Sequence, residues 1–154
     1  MFAKDVIRAE GHHHVRATHR TTLELTRDDY LTPRGDCIVG IKADKGLADL
    51  DERVKTIIRA GGYVYLVLRV QDMVEIIWGK GDPRLELSDP NKIIARKSDY
   101  IAPNTVMIRA NKSARDLNRK LVEALKSGSP LTVYIIASDK PLEDEEVLRI
   151  IVDP

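Results

Sequence analysis

The feature that most restricts the fold is the likeness of one part of the chain to another. DDYLTPRGDCIVGIKADKGLADLDERVKTIIRAGG aligns with SDYIAPNTVMIRANKSARDLNRKLVEALKSGS. Asp29-Tyr30-Leu31 meets Asp99-Tyr100-Ile101, and Pro33 meets Pro103. After a gap of three residues, Ile41-Lys42-Ala43-Asp44-Lys45 meets Ile108-Arg109-Ala110-Asn111-Lys112, and Asp49-Leu50-Asp51 meets Asp116-Leu117-Asn118. Polar and apolar identities in a shared order are the mark of a duplicated unit, one that buries its hydrophobic face against its twin.

Periodicity fills in the unit. Leu47, Leu50, Val54, Ile57 and Ile58 recur at helical spacing, as do Leu117, Leu121, Ala124 and Leu125. Glycine follows each run, at Gly61-Gly62 and Gly128, where a helix C-cap favours it. Alternating strands come next, YVYLVLRV and LTVYIIA. TTLELT and IIARKS read as opening strands, MVEIIW and EVLRIIV as closing ones. The expectation is an α+β fold: a single domain of 154 residues in two pseudo-symmetric halves, about 19–80 and 91–153. Each half reads strand-strand-helix-strand-strand, and together they form a mixed, barrel-like sheet with two helices.

Composition removes several classes. With 43% hydrophobic and 32% charged residues and a net charge of +1, the profile is that of a soluble globular chain. No apolar run approaches the roughly 20 residues that cross a bilayer, and MFAKDVIRAEG lacks the apolar core of a signal peptide. Cys37 is the only cysteine, which rules out an internal disulfide and a cysteine-based zinc site, so the cytoplasm is the expected compartment. A single glutamine, Gln71, among many charged and branched aliphatic residues leans toward a thermophile. Residues 92–126 hold nine Lys/Arg against three Asp/Glu, a local net of +6 that could attract phosphate or nucleic acid.

The candidate residues gather in the first half. In LTPRGDCIVGIKADK, Pro33 and Gly35 suit a tight turn, and Cys37 falls in the apolar series with Val39, Ile41 and Ala43 as a small core residue. Along THRTTLELT, strand alternation would put His19 and Thr21 on the face of Leu23 and Leu25, and Arg20 with Thr22, Glu24 and Thr26. His12, His19 and Asp36 form the set that could hold a metal or act as acid and base, while His12-His13-His14 could bind metal adventitiously. Lys45 and Lys112 stand at matching strand ends before a helix, where they could hold an anion. There, Asp44 or Asn111 could instead cap the helix. Tyr63, Tyr65, Arg69 and Trp78 could together stack nucleic-acid bases.

The segments GH…VRATHRTTLELT…DYLTPRGDCIVGIKADK and IIARKSDYIAPNTVMIRANKSARDLNRKL resemble the archaeal domain-of-unknown-function family 371 over nearly the whole chain. The family pattern leads one to expect an arginine near Asn104, where this chain departs from it. The resemblance implies an archaeal, cytoplasmic protein. It marks His12, His19, Arg20, Thr21, Thr22, Arg34, Asp36 and Lys45 as positions of interest without giving them a role. The leading functional reading is a binding module for a phosphorylated or other anionic ligand, nucleotide or RNA included. Arg20, Thr21, Thr22, Arg34, Lys45 and Lys112 would supply the contacts. The first rival is a hydrolase or transferase using His12 or His19 with Asp36, with or without a divalent metal. The second is a protein-interaction module without catalysis.

Overall fold

A computed structural model describes residues 1–153. Eight strands form two four-stranded sheets. The first holds β1 (Phe2–Glu10), β8 (Pro130–Ser138), β4 (Tyr63–Val70) and β5 (Met73–Lys80), in that order and antiparallel throughout. The second holds β3 (Ile38–Gly40), β2 (Thr22–Thr26), β6 (Lys92–Arg96) and β7 (Thr105–Met107). Its central β2–β6 pair is antiparallel, and each outer strand joins in parallel.

The architecture is α+β, but the expected barrel-like sheet is not found: neither sheet closes. Single antiparallel bridges, Glu10 with Ile41 and Lys80 with Ile108, join the outer strands of one sheet to the chain leaving the other. The next residue in each case, Lys42 or Arg109, has a positive φ of 54° or 53°. That left-handed turn diverts the chain and stops the ladder after one bridge.

Three helices are present among the described residues, α1 (Glu52–Arg59), α2 (Arg119–Lys126) and α3 (Asp144–Val152). The stripe that began at Leu47 is split. A 3-10 turn, Leu47–Asp49, is closed by the Asp49 carboxylate accepting from Gly46 N at 2.9 Å, and Leu50 is then extended. The α1 cap is therefore Asp51, accepting from Arg53 N, rather than Asp44. Asn118 does the same for α2 rather than Asn111. Both helices end at glycines of positive φ, Gly61 and Gly128.

EVLRIIV forms most of α3 and not a closing strand. Acidic residues fill its first turn, Glu146 accepts from the Glu143 amide at 3.1 Å, and Arg149 sits in the last turn, all of which favour a helix. Val147, Ile150 and Ile151 then share a stripe that packs on Tyr65, Val67 and Ile136 of the first sheet. Strand β1 was not expected at all. The main core lies between the sheets and under α1 and α2, with Ile7, Leu23, Leu25, Ile58, Leu66, Leu68, Ile77, Ile93 and Leu125 fully buried.

Candidate functional site

The loop of residues 11–21 carries most of the residues singled out by sequence, and backbone hydrogen bonds fix it in place. The Thr18 and His19 amides donate to Asp36 O at 3.0 and 3.2 Å, and the Arg115 amide donates to His19 O at 3.1 Å. The Arg119 guanidinium reaches Ala17 O at 3.0 Å and also binds the carbonyls of Leu117, Ala114 and Arg115. Arg16 donates to Pro33 O at 3.2 Å. Three loops therefore meet beside the start of β2, and they present Arg20, Arg34 and Arg115 exposed at their surface. None of these three arginines has a carboxylate within 4.0 Å among the described residues.

His19 precedes β2 and does not alternate with Leu23 and Leu25. Its Nδ1 accepts from the Thr21 and Thr22 amides at 3.2 and 3.1 Å and lies 2.9 Å from Thr22 Oγ1. It works as the acceptor of a tight turn, as Asp89 does before β6 for the amides of Asn91 and Lys92, both at 2.8 Å.

A polar row continues along the outer face of β2. Glu24 is buried, 5% exposed, and its Oε2 has no hydrogen-bond partner among the described residues. Cys37 donates to its Oε1 at 3.6 Å, and Lys92 Nζ lies 3.9 Å from Oε2. Burial is the main cause that pushes the Glu24 carboxyl above its usual range, with Lys92 and Cys37 acting against it. Burial, and then the Glu24 charge, push the Cys37 thiol up to about 11. A thiol held that high is protonated at neutral pH and is no ready nucleophile, but Cys37 is half-buried just before β3 and lies outside the apolar core where alternation placed it. Across the β2–β6 pair the polar demand is met: Arg96 donates to Thr105 Oγ1 at 2.7 Å and Asn104 Oδ1 at 2.9 Å, and lies over the Tyr100 ring.

The remaining sequence candidates sit elsewhere. Lys45 is 2.5 Å from Asp5 Oδ1, and Lys112 is 3.8 Å from Glu75 Oε1. The same carboxylates accept from the Asp51 and Asn118 amides, so each lysine helps to dock a helix start on β1 or β5. Asp44 and Asn111 also bind those strands, through the Arg8 and Trp78 amides. His12 gathers with His13 and His14, and not with His19 or Asp36. Tyr65 is buried beneath Leu142, whose amide donates to its hydroxyl at 2.6 Å, and Arg69 lies over Tyr134. Trp78 stays half-exposed in a groove of about 370 Å³ beside α3, with Glu75, Lys112 and Leu148.

Sequence reasoning missed Glu24 as a site residue and passed over Arg96. The sole local hint was a glutamate in a strand whose other members are threonine and leucine. Residues 7–138 match the family model described as Domain of unknown function (DUF371). The chain belongs to the DUF371 family. Over 131 residues it is 47% identical to a protein of the archaeon Methanocaldococcus jannaschii, described as Uncharacterized protein MJ0206. That match covers 85% of this chain and 97% of the relative. The DUF371 match takes in β2 to β8 and the three loops, and ends before α3. No helix among the described residues is long and apolar enough to cross a membrane.

Proposed function

We propose that this DUF371 chain is a binding protein for a phosphorylated anion, held where its three loops meet beside the start of β2. The observation that carries the reading is the grouping of Arg20, Arg34 and Arg115 with no acidic partner among the described residues, on loops tied together by the backbone bonds of Thr18, His19 and Arg115. Unpaired guanidinium groups on a braced surface offer forked donors without first breaking an ion pair. Thr21, exposed at the same place, adds a hydroxyl, and Thr22 holds His19 beside it. Lys45 and Lys112 would have to leave Asp5 and Glu75 to take part, so the proposal rests on the arginines. A mononucleotide fits this reading better than RNA, because Tyr65 is covered and the aromatic face lies on the other sheet.

The test is titration calorimetry at low salt with inorganic phosphate and a nucleoside monophosphate. Arg20→Ala, Arg34→Ala and Arg115→Ala should each weaken binding about tenfold, the worth of one charge-assisted contact, with unchanged melting temperature. Absence of binding by both probes overturns the reading. A second reading has its own observation, a buried Glu24 carboxyl whose hold on a proton is strengthened by that burial: an acid–base enzyme would use it as donor. Turnover of a phosphate ester that survives Glu24→Gln would remove that reading.

The same proposal includes a duplicated origin for the fold. Corresponding details support it. Ala17 and Leu87 share a left-handed backbone, as do Lys42 and Arg109. Asp51 and Asn118 cap matching helices, and His19 and Asp89 close matching turns.

A further inference from the structure

We infer that His12, His13 and His14 form a binding site for a borderline divalent cation of the zinc type. The three rings pack with centroids 4.1 to 5.1 Å apart, and one nitrogen from each lies within 4.8 Å of the other two. Imidazole is the ligand such cations favour, and three histidines leave positions open for water or a further ligand.

The turn that carries them is braced at both ends. Gly11 N donates to Ser129 O at 2.9 Å, and Gly11 lies so close to α2 that a Cβ there would sit 2.0 Å from Leu125 O. At the other end Val15 is fully buried and its amide donates to His12 O at 3.0 Å. His14 Nδ1 lies 2.8 Å from Leu31 O, which as acceptor fixes the proton on Nδ1 and leaves the Nε2 lone pair free. That is the arrangement by which outer-shell carbonyls orient histidine ligands.

An acceptor side chain at the first position, but not an imidazole, is needed to make the turn. Asp82-Pro83-Arg84 makes it too, with Leu85 N donating to Asp82 O at 3.1 Å and Arg84 N to Asp82 Oδ1 at 2.8 Å. There the side chains satisfy each other, since Arg84 Nε also donates to Asp82 Oδ1 at 2.9 Å. In the histidine turn, His12 Nδ1 takes the place of the carboxylate and accepts from His14 N at 3.0 Å. Metal binding at that nitrogen would exchange this bond for coordination, while His13 and His14 supply the other two. The neighbouring charges, Glu10 and Lys42, pair with each other at 3.6 Å and largely offset.

The experiment is a zinc titration of the full, untagged chain, purified without a metal column and treated with chelator. One Zn²⁺ per chain is expected, with the His14 backbone amide shifting in the NMR spectrum as its bond to His12 is replaced. His13→Ala and His14→Ala should each weaken binding at least tenfold. Because His12→Ala could undo the turn, His12→Asn, which keeps an acceptor for His14 N, serves as the third variant and should weaken binding to the same degree. A free peptide of residues 11–16 that binds Zn²⁺ as tightly as the folded chain would overturn the inference, leaving an adventitious triplet. So would a titration with no stoichiometric endpoint.

Discussion

The two sides of the second sheet use the same framework to opposite ends. On the β6–β7 side, Arg96 gives its donors to Thr105 and Asn104 and its face to Tyr100, so the polar groups are answered internally. On the β2–β3 side, Glu24 is as buried as a core residue, yet it has a weak thiol donor on one oxygen and, among the described residues, no hydrogen bond on the other, with Lys92 Nζ 3.9 Å away. In the strand register Glu24 faces Ile94, an apolar residue doing the ordinary work of that position. The difference teaches where stability has been conceded. Unmet polar demand in a folded chain marks a strained or functional place, whereas a closed network marks a structural one.

The largest effect should be on the Cys37 thiol. With its value near 11, only about one thiol in a thousand is ionised at pH 8, so alkylation of the native chain should run roughly 100-fold slower than that of the urea-unfolded chain. Iodoacetamide labelling followed by mass spectrometry reads this directly. Rapid native labelling would mean that the β2–β3 side is open, and the contrast between the two sides would lose its basis.

Next in size, Arg96→Met should destabilise the fold by about 2 kcal/mol, because the buried Thr105 hydroxyl loses its charged donor. Urea unfolding measures it, and a loss below about 0.5 kcal/mol would show that the closed network is ornamental. Glu24→Gln should act in the other direction, stabilising by about 1 kcal/mol at pH 8. Its sign follows from linkage. The folded chain holds the Glu24 proton more tightly than the unfolded chain, so the penalty is absent below the ordinary glutamate range and grows as pH rises through the raised value. The wild-type chain should therefore lose stability over that window while the variant stays flat; parallel pH profiles would break the comparison. The smallest effects are those of His19→Ala and Asp89→Ala, each about 1 kcal/mol for a lost turn acceptor. Near-equal losses by thermal melting would show that these two turns, unlike the two strand pairs they precede, are alike.

Much of this was legible where one strand or turn decides the outcome. YVYLVLRV, LTVYIIA, TTLELT and the glycine stops could be read from alternation and caps alone. Strand β1 could not, because Asp5 interrupts its inward series of Ala3, Ile7 and Ala9, and the carboxylate makes sense only once Lys45 and the Asp51 amide are beside it. EVLRIIV is rich in β-branched residues that suit a strand, whereas the acidic residues Asp144, Glu145 and Glu146 at its start form the first turn of a helix. In the candidate site, Arg20, Thr21, Thr22 and Arg34 declared themselves by composition. Arg115 and Glu24 did not, since one is joined to His19 by a bond between distant parts of the chain, and the other is buried by strands and loops that the local sequence does not specify.

The pairing of β1 with β8 has a consequence for synthesis. Its nine registered pairs are the whole ladder of β1, apart from the single bridge to Ile41. Strand β1 can thus complete its ladder only once β8, the last strand of the two sheets, has been made. Until then its edge and the apolar residues it covers stay open to other chains. The first sheet can be completed only after translation of β8, however early the second begins to form, and nascent chains stalled before Pro130 should be the ones that chaperones retain.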